Sequence, residues 1–213
     1  MNLNKLILNQ NKNYKYFIDN LKKKDIYSVS RILKRNKLIY FIGIGKSGNV
    51  ANHISDLLKS ISIKSIYLNA TNLTHGDLGC INNTDTVFIF SKSGNTKEIH
   101  NCIQYIPCKK YLFCCNLEAT LKKYVDKEFI IPCLNEDHKF NLIPTNSVVN
   151  TIIYFNIVVN YIISDFSLKN YNKNHPKGNI GLLSQPLINF VDKEVNTYPI
   201  DLTIKLSIEF LNK

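Results

Sequence analysis

The chain has 213 residues, 45% of them hydrophobic and 11% aromatic, and carries a formal net charge of +11. That length suits one domain with a substantial core. The positive charge invites a nucleic-acid partner, but only Arg31 and Arg35 are arginines and the lysines are scattered among Asn, Ile and Tyr, which argues against the clustered Arg/Lys face that nucleic acid requires. A positive field would instead raise the local concentration of an anionic substrate.

Residues 1–36 are rich in Lys and Asn, with Leu6, Tyr16, Phe17, Leu21, Val29, Ile32 and Leu33 at helical intervals, and predict one or two amphipathic helices. The apolar run Leu38–Ile42 then predicts a buried strand that feeds a glycine turn and a helix over about Gly48–Ile61. Further strands are expected at Ser65–Leu68, Thr86–Phe90, Tyr111–Cys115 and Phe129–Pro132, with helices at Thr96–Ile106 and Leu117–Tyr124. Alternating helices and continuously apolar strands mean a parallel sheet covered on both faces. The expected fold is α/β: a doubly wound, flavodoxin-like three-layer αβα sandwich on a five-stranded parallel sheet. Ser147–Ile163 is apolar enough to resemble a membrane span, but it is slightly short and carries Asn150, Asn156 and Asn160, so a buried core helix is expected and no membrane partner. His175–Gly181 reads as a loop from its Pro and Gly content. The organisation expected is N-terminal helices over 1–37, an α/β domain over 38–185 and a tail over 186–213.

Six cysteines, at 80, 102, 108, 114, 115 and 133, form no C-x-x-C pair, and the chain opens with no signal-peptide pattern. Reduced thiols in a cytoplasmic compartment are expected. Cys102, Cys114 and Cys115 sit among Ile, Tyr, Leu and Phe and read as small core residues.

Ligands of open parallel sheets bind at the carboxyl ends of strands. Two loops there have phosphate-binding character. Gly43-x-Gly45-x-x-Gly48 is not a dinucleotide fingerprint, because Tyr67-Leu68-Asn69-Ala70 offers no carboxylate for a ribose. Nor is it a Walker A loop, since Tyr40 stands where the leading glycine belongs. It remains a tight turn that brings backbone N–H groups, Lys46 and Ser47 to the mouth of a site. Ser91-Lys92-Ser93-Gly94-Asn95-Thr96 follows the next central strand, and its hydroxyls suit a phosphate monoester, although such a cluster is also an ordinary helix cap. His75, Glu98, Glu136 and His175 are the other polar points, each with an ordinary structural alternative. No residues stand at recognisable metal-ligand spacing, and no metal or other cofactor is expected.

Together these residues resemble a sugar-isomerase (SIS) domain, closely its arabinose-5-phosphate isomerase branch. The resemblance rests on Gly-Ile-Gly-Lys-Ser-Gly at 43–48, His-Gly-Asp-Leu-Gly at 75–79, Ser-x-Ser-Gly-x-Thr-x-Glu at 91–98, Glu136 eight residues before Pro144, and His175-Pro176. It implies that Ser47, Ser91, Ser93 and Thr96 hold the phosphate and that Lys46, His75, Glu98, Glu136 and His175 are active-site residues. It also implies a homotetramer in which His175 comes from a neighbouring subunit, and a product that serves Kdo and surface-polysaccharide synthesis. The chain departs from the family at Lys177-Gly178-Asn179, where a second glycine is usual, and no pair of cystathionine-β-synthase domains is expected after the SIS domain. The implied chemistry is interconversion of D-ribulose 5-phosphate and D-arabinose 5-phosphate through an enediolate. Either Glu136, with a carboxyl raised by desolvation, or His75 is the carbon base; the histidines would move hydroxyl protons and Lys46 would stabilise the enediolate. A phosphosugar-binding module without turnover and an isomerase of another sugar phosphate are the alternatives.

Overall fold

The computed structural model describes residues 2–35, 38–137, 140–163 and 174–175. Five short apolar runs make the strands: β1 Ile39–Gly43, β2 Ser65–Asn69, β3 Thr86–Phe90, β4 Lys109–Cys114 and β5 Lys127–Ile130. All pair in parallel, in the order β2-β1-β3-β4-β5. β1 and β3 are buried along their whole length, as strands covered on both faces must be, while the edge strands β2 and β5 are partly exposed. The strand order reverses between β1 and β3, so the crevice for a ligand opens where their carboxyl ends meet, Gly43 opposite Phe90.

Alternation along the strands sorts the core by chemistry. Phe41, Phe88, Phe90, Phe113 and Phe129 face the side covered by α1 (Leu3–Asn20), α2 (Lys23–Arg35), α3 (Gly45–Ser60) and α5 (Asn146–Ile163). Phe113 is the hub, stacked on Phe90 and Phe129 and 5.0 Å from Phe155. Each such ring contributes roughly 2–3 kcal/mol by leaving water. Tyr40, Ile42, Val87, Ile89, Leu112 and Cys114 face the other side, under α4 (Lys97–Cys102) and short 3₁₀ turns.

The expected α/β sandwich is present, with a thinner second layer than the sequence predicts. No full helix forms over Leu117–Tyr124, only a 3₁₀ turn at Thr120–Tyr124. The Thr120 N–H donates to Asn95 Oδ1 (2.7 Å) and the Leu121 N–H to the Gly94 carbonyl (2.9 Å), so amides that would start a helix are spent on the preceding loop. α4 gives way to a 3₁₀ turn at Ile103–Tyr105, just before Pro107. α3 starts at Gly45, three residues earlier than expected, after the extended N-cap Ile44, and Gly45 itself takes a φ of +57° that glycine adopts without strain.

Among the described residues α5 is the one helix long and apolar enough to cross a membrane. Here it packs on α1, α2 and α3 with Tyr154, Phe155 and Val158 buried. Two of its four asparagines are keyed to neighbours: Asn150 Nδ2 donates to the Pro132 carbonyl (2.8 Å), Asn146 Nδ2 to the Asn135 carbonyl (2.7 Å), and Asn13 Nδ2 of α1 to Asn150 Oδ1 (3.2 Å). The chain divides into two compact units, Met1–Asn174 and His175–Lys213, and the first holds the whole sheet. The expected loop over Pro176–Gly181 and the 186–213 tail lie outside the described residues.

Candidate functional site

Each glycine of the first loop has a separate reason. A β-carbon on Gly43 would stand 3.0 Å from the Gly48 backbone, and one on Gly48 would meet the Tyr67 hydroxyl at 2.6 Å. The first turn of α3 is thereby drawn tight against the end of β1, and the Tyr67 hydroxyl donates to the Gly43 carbonyl (3.2 Å). That turn carries Lys46, exposed, and Ser47, half-buried.

The second loop is pinned from below by β4 and the turn after it. The Ser91 N–H donates to the Phe113 carbonyl (3.1 Å), the Cys115 N–H to the Lys92 carbonyl (2.9 Å) and Asn116 Nδ2 to the Ser93 carbonyl (3.0 Å). Within the loop, Ser91 Oγ and Thr96 Oγ1 are 2.7 Å apart, and the N–H groups of Gly94 and Asn95 donate to Ser91 Oγ and Ser93 Oγ. Ser91 is buried, Thr96 half-buried and Ser93 exposed. Of the hydroxyls expected to hold a phosphate, Ser91 and Thr96 are therefore joined directly, on a loop held by β4 and the turn after it.

Between the two loops lies a pocket whose polar walls are Ser47, Ser91, Lys92, Ser147 and Thr151, with Phe90, Phe113 and Cys115 below. Beside it Glu136 is 1% exposed. Its carboxylate accepts from Lys92 Nζ (2.9 Å), the Thr145 N–H (2.8 Å), the Ser147 N–H (3.2 Å) and the Thr145 and Ser147 hydroxyls. Burial alone would push this carboxyl up, but Ser147, Lys92 and the amides at the start of α5 outweigh it and hold it at about 2. The expected upward shift is thus corrected: Glu136 is desolvated, yet so well supplied with donors that its charged form is the stable one.

The predicted residues fall into groups. Ser47 and Ser91 line the pocket, Thr96 joins through Ser91, and Glu136 joins through Lys92 and Ser147. Lys46 and Ser93 stand exposed on the two loops. His75 ends a 3₁₀ turn, Leu73–His75, after β2, and that turn packs on α4, whose first turn carries Glu98; both residues are exposed and belong to the opposite layer from α3 and α5. His175 opens the second unit. Among the described residues no group of three or more His, Cys, Asp or Glu stands together as metal ligands would.

Sequence reasoning missed Lys92, Ser147 and Thr151. Thr145-Asn146-Ser147 ahead of an apolar helix was the available signal, since such residues mark a helix start whose free amides attract a carboxylate. Cys115, just past the end of β4, packs against the core as expected and also lines the pocket.

A protein of Chlamydia pneumoniae described as uncharacterized is 32% identical over 157 residues, covering 71% of this chain and 48% of that protein. The arabinose 5-phosphate isomerase KdsD of Yersinia pestis is 28% identical over 148 residues, covering 67% of this chain and 45% of the isomerase. The chain thus spans about half the length of the curated relatives it matches. A solved structure of Escherichia coli CFT073 c3406 in complex with arabinose 5-phosphate superposes with a TM-score of 0.70 at 22% identity, covering 83% of this chain and all of that one. The family model for the SIS domain matches residues 32–161, from the end of α2 to the end of α5, and this chain belongs to that family.

Proposed function

We propose that the chain is an aldose–ketose isomerase interconverting D-ribulose 5-phosphate and D-arabinose 5-phosphate. The observation that carries this reading is the convergence of Ser47, Ser91 and the Lys92–Glu136 ion pair on one pocket at the switch point of the sheet. The identity to the Yersinia isomerase supports the choice of sugar. Ser47, Ser91, Ser93 and Thr96 hold the phosphate, which fixes the far end of the sugar and orients C1 and C2. Moving a proton between those carbons requires a base at carbon, a cation beside the enediolate oxygens and an acid for the hydroxyl protons. Glu136, beside the pocket, or His75, on the turn after β2, takes the carbon proton; a carboxyl held at about 2 is a weak base, which favours His75 and leaves Glu136 to fix Lys92. Lys46 and Lys92 balance the enediolate charge, and the histidines, His75 and a neighbouring subunit's His175, handle hydroxyl protons and ring opening. A homotetramer in the cytoplasm that supplies Kdo synthesis completes the reading.

Proton NMR of the purified protein in deuterated buffer, with a panel of pentose and hexose phosphates, tests it. Ribulose 5-phosphate should convert to arabinose 5-phosphate with deuterium entering at C2, and the unphosphorylated sugars should be inert. Binding without turnover would replace the isomerase with a phosphosugar-binding module, and turnover of a different sugar phosphate would replace the substrate.

A further inference from the structure

The hydroxyl loop is tied at its far end by a chain of side chains that the proposed reaction does not use. Asn95 lies between Gly94 and Thr96, and its side chain meets Thr120, the first residue of the 3₁₀ turn Thr120–Tyr124. Both the Thr120 N–H (2.7 Å) and the Thr120 hydroxyl (2.8 Å) reach Asn95 Oδ1. His100, half-buried on α4, places Nε2 2.7 Å from the same hydroxyl. Its ring stands edge-on to Tyr124, with centroids 5.6 Å apart and planes at 89°. His100, Thr120 and Asn95 thus join α4, the turn after β4 and the loop that carries Ser91 and Ser93. Proton counting fixes the direction of each bond. The Thr120 N–H can only donate, so the Asn95 atom facing it is the oxygen and not the nitrogen. That oxygen has no proton, so the proton of the Thr120 hydroxyl lies between the two oxygens. Having given its single proton to Asn95, the hydroxyl can only accept from His100. His100 Nε2 therefore carries a proton, whatever the state of Nδ1.

We infer that His100 is a positioning residue for phosphate binding: its Nε2–H holds the Thr120 hydroxyl, which holds the Asn95 side chain and with it the hydroxyl loop. This role rests on the phosphate reading of that loop. Asn95 is well placed to pass the restraint on, because its own N–H donates to Ser93 Oγ (3.2 Å), one of the hydroxyls assigned to the phosphate. The neighbouring ties act on carbonyls instead, with Asn116 Nδ2 on that of Ser93 and the Leu121 N–H on that of Gly94. Asn95 and Thr120 are both exposed, so water competes for their hydrogen bonds once the restraint is lost. A loop that is held before the ligand arrives loses less freedom on binding, and the phosphate is bound more tightly for it. His100 touches neither Ser91 nor Ser93 and acts through Thr120 and Asn95.

Calorimetry on the full chain, with arabinose 5-phosphate and inorganic phosphate as probes, reads the effect. His100→Ala should weaken both roughly three- to tenfold, the worth of one hydrogen bond. His100→Gln keeps an N–H at the position of Nε2 and should bind like the wild type. His100→Asn, whose amide reaches only as far as Nδ1, should bind like His100→Ala. Thr120→Val removes the hydroxyl but keeps the amide, and joined to His100→Ala it should cost little more than the larger single loss. Urea midpoints are measured alongside, since a purely structural role would move stability without separating Gln from Asn in affinity. If His100→Ala fails to fold, the Gln and Asn variants and the wild-type ring decide: nitrogen-15 NMR of neutral His100 should find its proton on Nε2. Wild-type affinity in His100→Ala, equal losses in Gln and Asn, or a proton on Nδ1 alone would overturn the inference. A wild type that binds neither probe would overturn the phosphate reading of the loop itself, and the positioning role with it.

Discussion

Gly94 backs onto Ala119 so closely that a β-carbon on the glycine would stand 2.2 Å from the Ala119 β-carbon. Gly94 also has a φ of +65°, and its carbonyl accepts from the Leu121 N–H. The hydroxyl loop is thus seated directly on the turn that follows β4, with no side chain between them. Gly94→Ala should lose about 2–4 kcal/mol, the sum of left-handed strain and overpacking. Ala119→Gly in the same chain should restore only the overpacking share. Urea unfolding of the single and double variants reads both shares, and a wild-type midpoint for Gly94→Ala would contradict the close approach.

Lys92→Met leaves a buried carboxylate short of one donor. Lys92 is 38% exposed at its side chain, so the cost is discounted from that of a fully buried pair to about 1–2 kcal/mol. Combined with Glu136→Gln, the loss should be less than additive, because each change removes the same contact. Additive losses in a thermal-melt cycle would mean that the pair is not coupled.

Glu136 should also set the acid limb of stability. Its carboxyl lies at about 2 in the fold against an ordinary 4.5. A lowered carboxyl binds its proton more readily in the unfolded chain. Its contribution is therefore fully present above about pH 4.5 and disappears as the pH falls toward about 2. Urea midpoints between about pH 6 and about pH 3 should fall more steeply for the wild type than for Glu136→Gln. Parallel curves would assign the acid limb to other groups.

Ser91→Ala removes the hydroxyl that meets both Thr96 Oγ1 and the Gly94 N–H. Sugar-phosphate affinity measured by calorimetry should drop roughly tenfold or more, the worth of one good hydrogen bond to a charged group. Unchanged affinity would move the phosphate away from this loop.

The strands were legible because fully buried parallel strands are uninterrupted apolar runs, and the two loops because Gly and hydroxyl residues follow β1 and β3 directly. Lys92 was not, since its partner Glu136 lies far along the chain and meets it only once β3 and β5 take their places in one sheet. The missing helix at Leu117–Tyr124 was equally hidden, because Asn95 claims the Thr120 amide from a different loop. The sign of the Glu136 shift depends on counting donors, and those donors converge only when α5 begins at Asn146.

The aromatic face of the sheet has an optical consequence. The chain contains 12 Tyr and 11 Phe but no tryptophan, and two of those phenylalanines, Phe90 and Phe113, form part of the pocket. Val148, half-buried on the same wall, accepts a single reporter: Val148→Trp would make its indole the only long-wavelength emitter in the molecule. Any molecule entering between α3 and α5 would then be seen as a change in the colour or intensity of one fluorophore, against a background that is dark at that excitation.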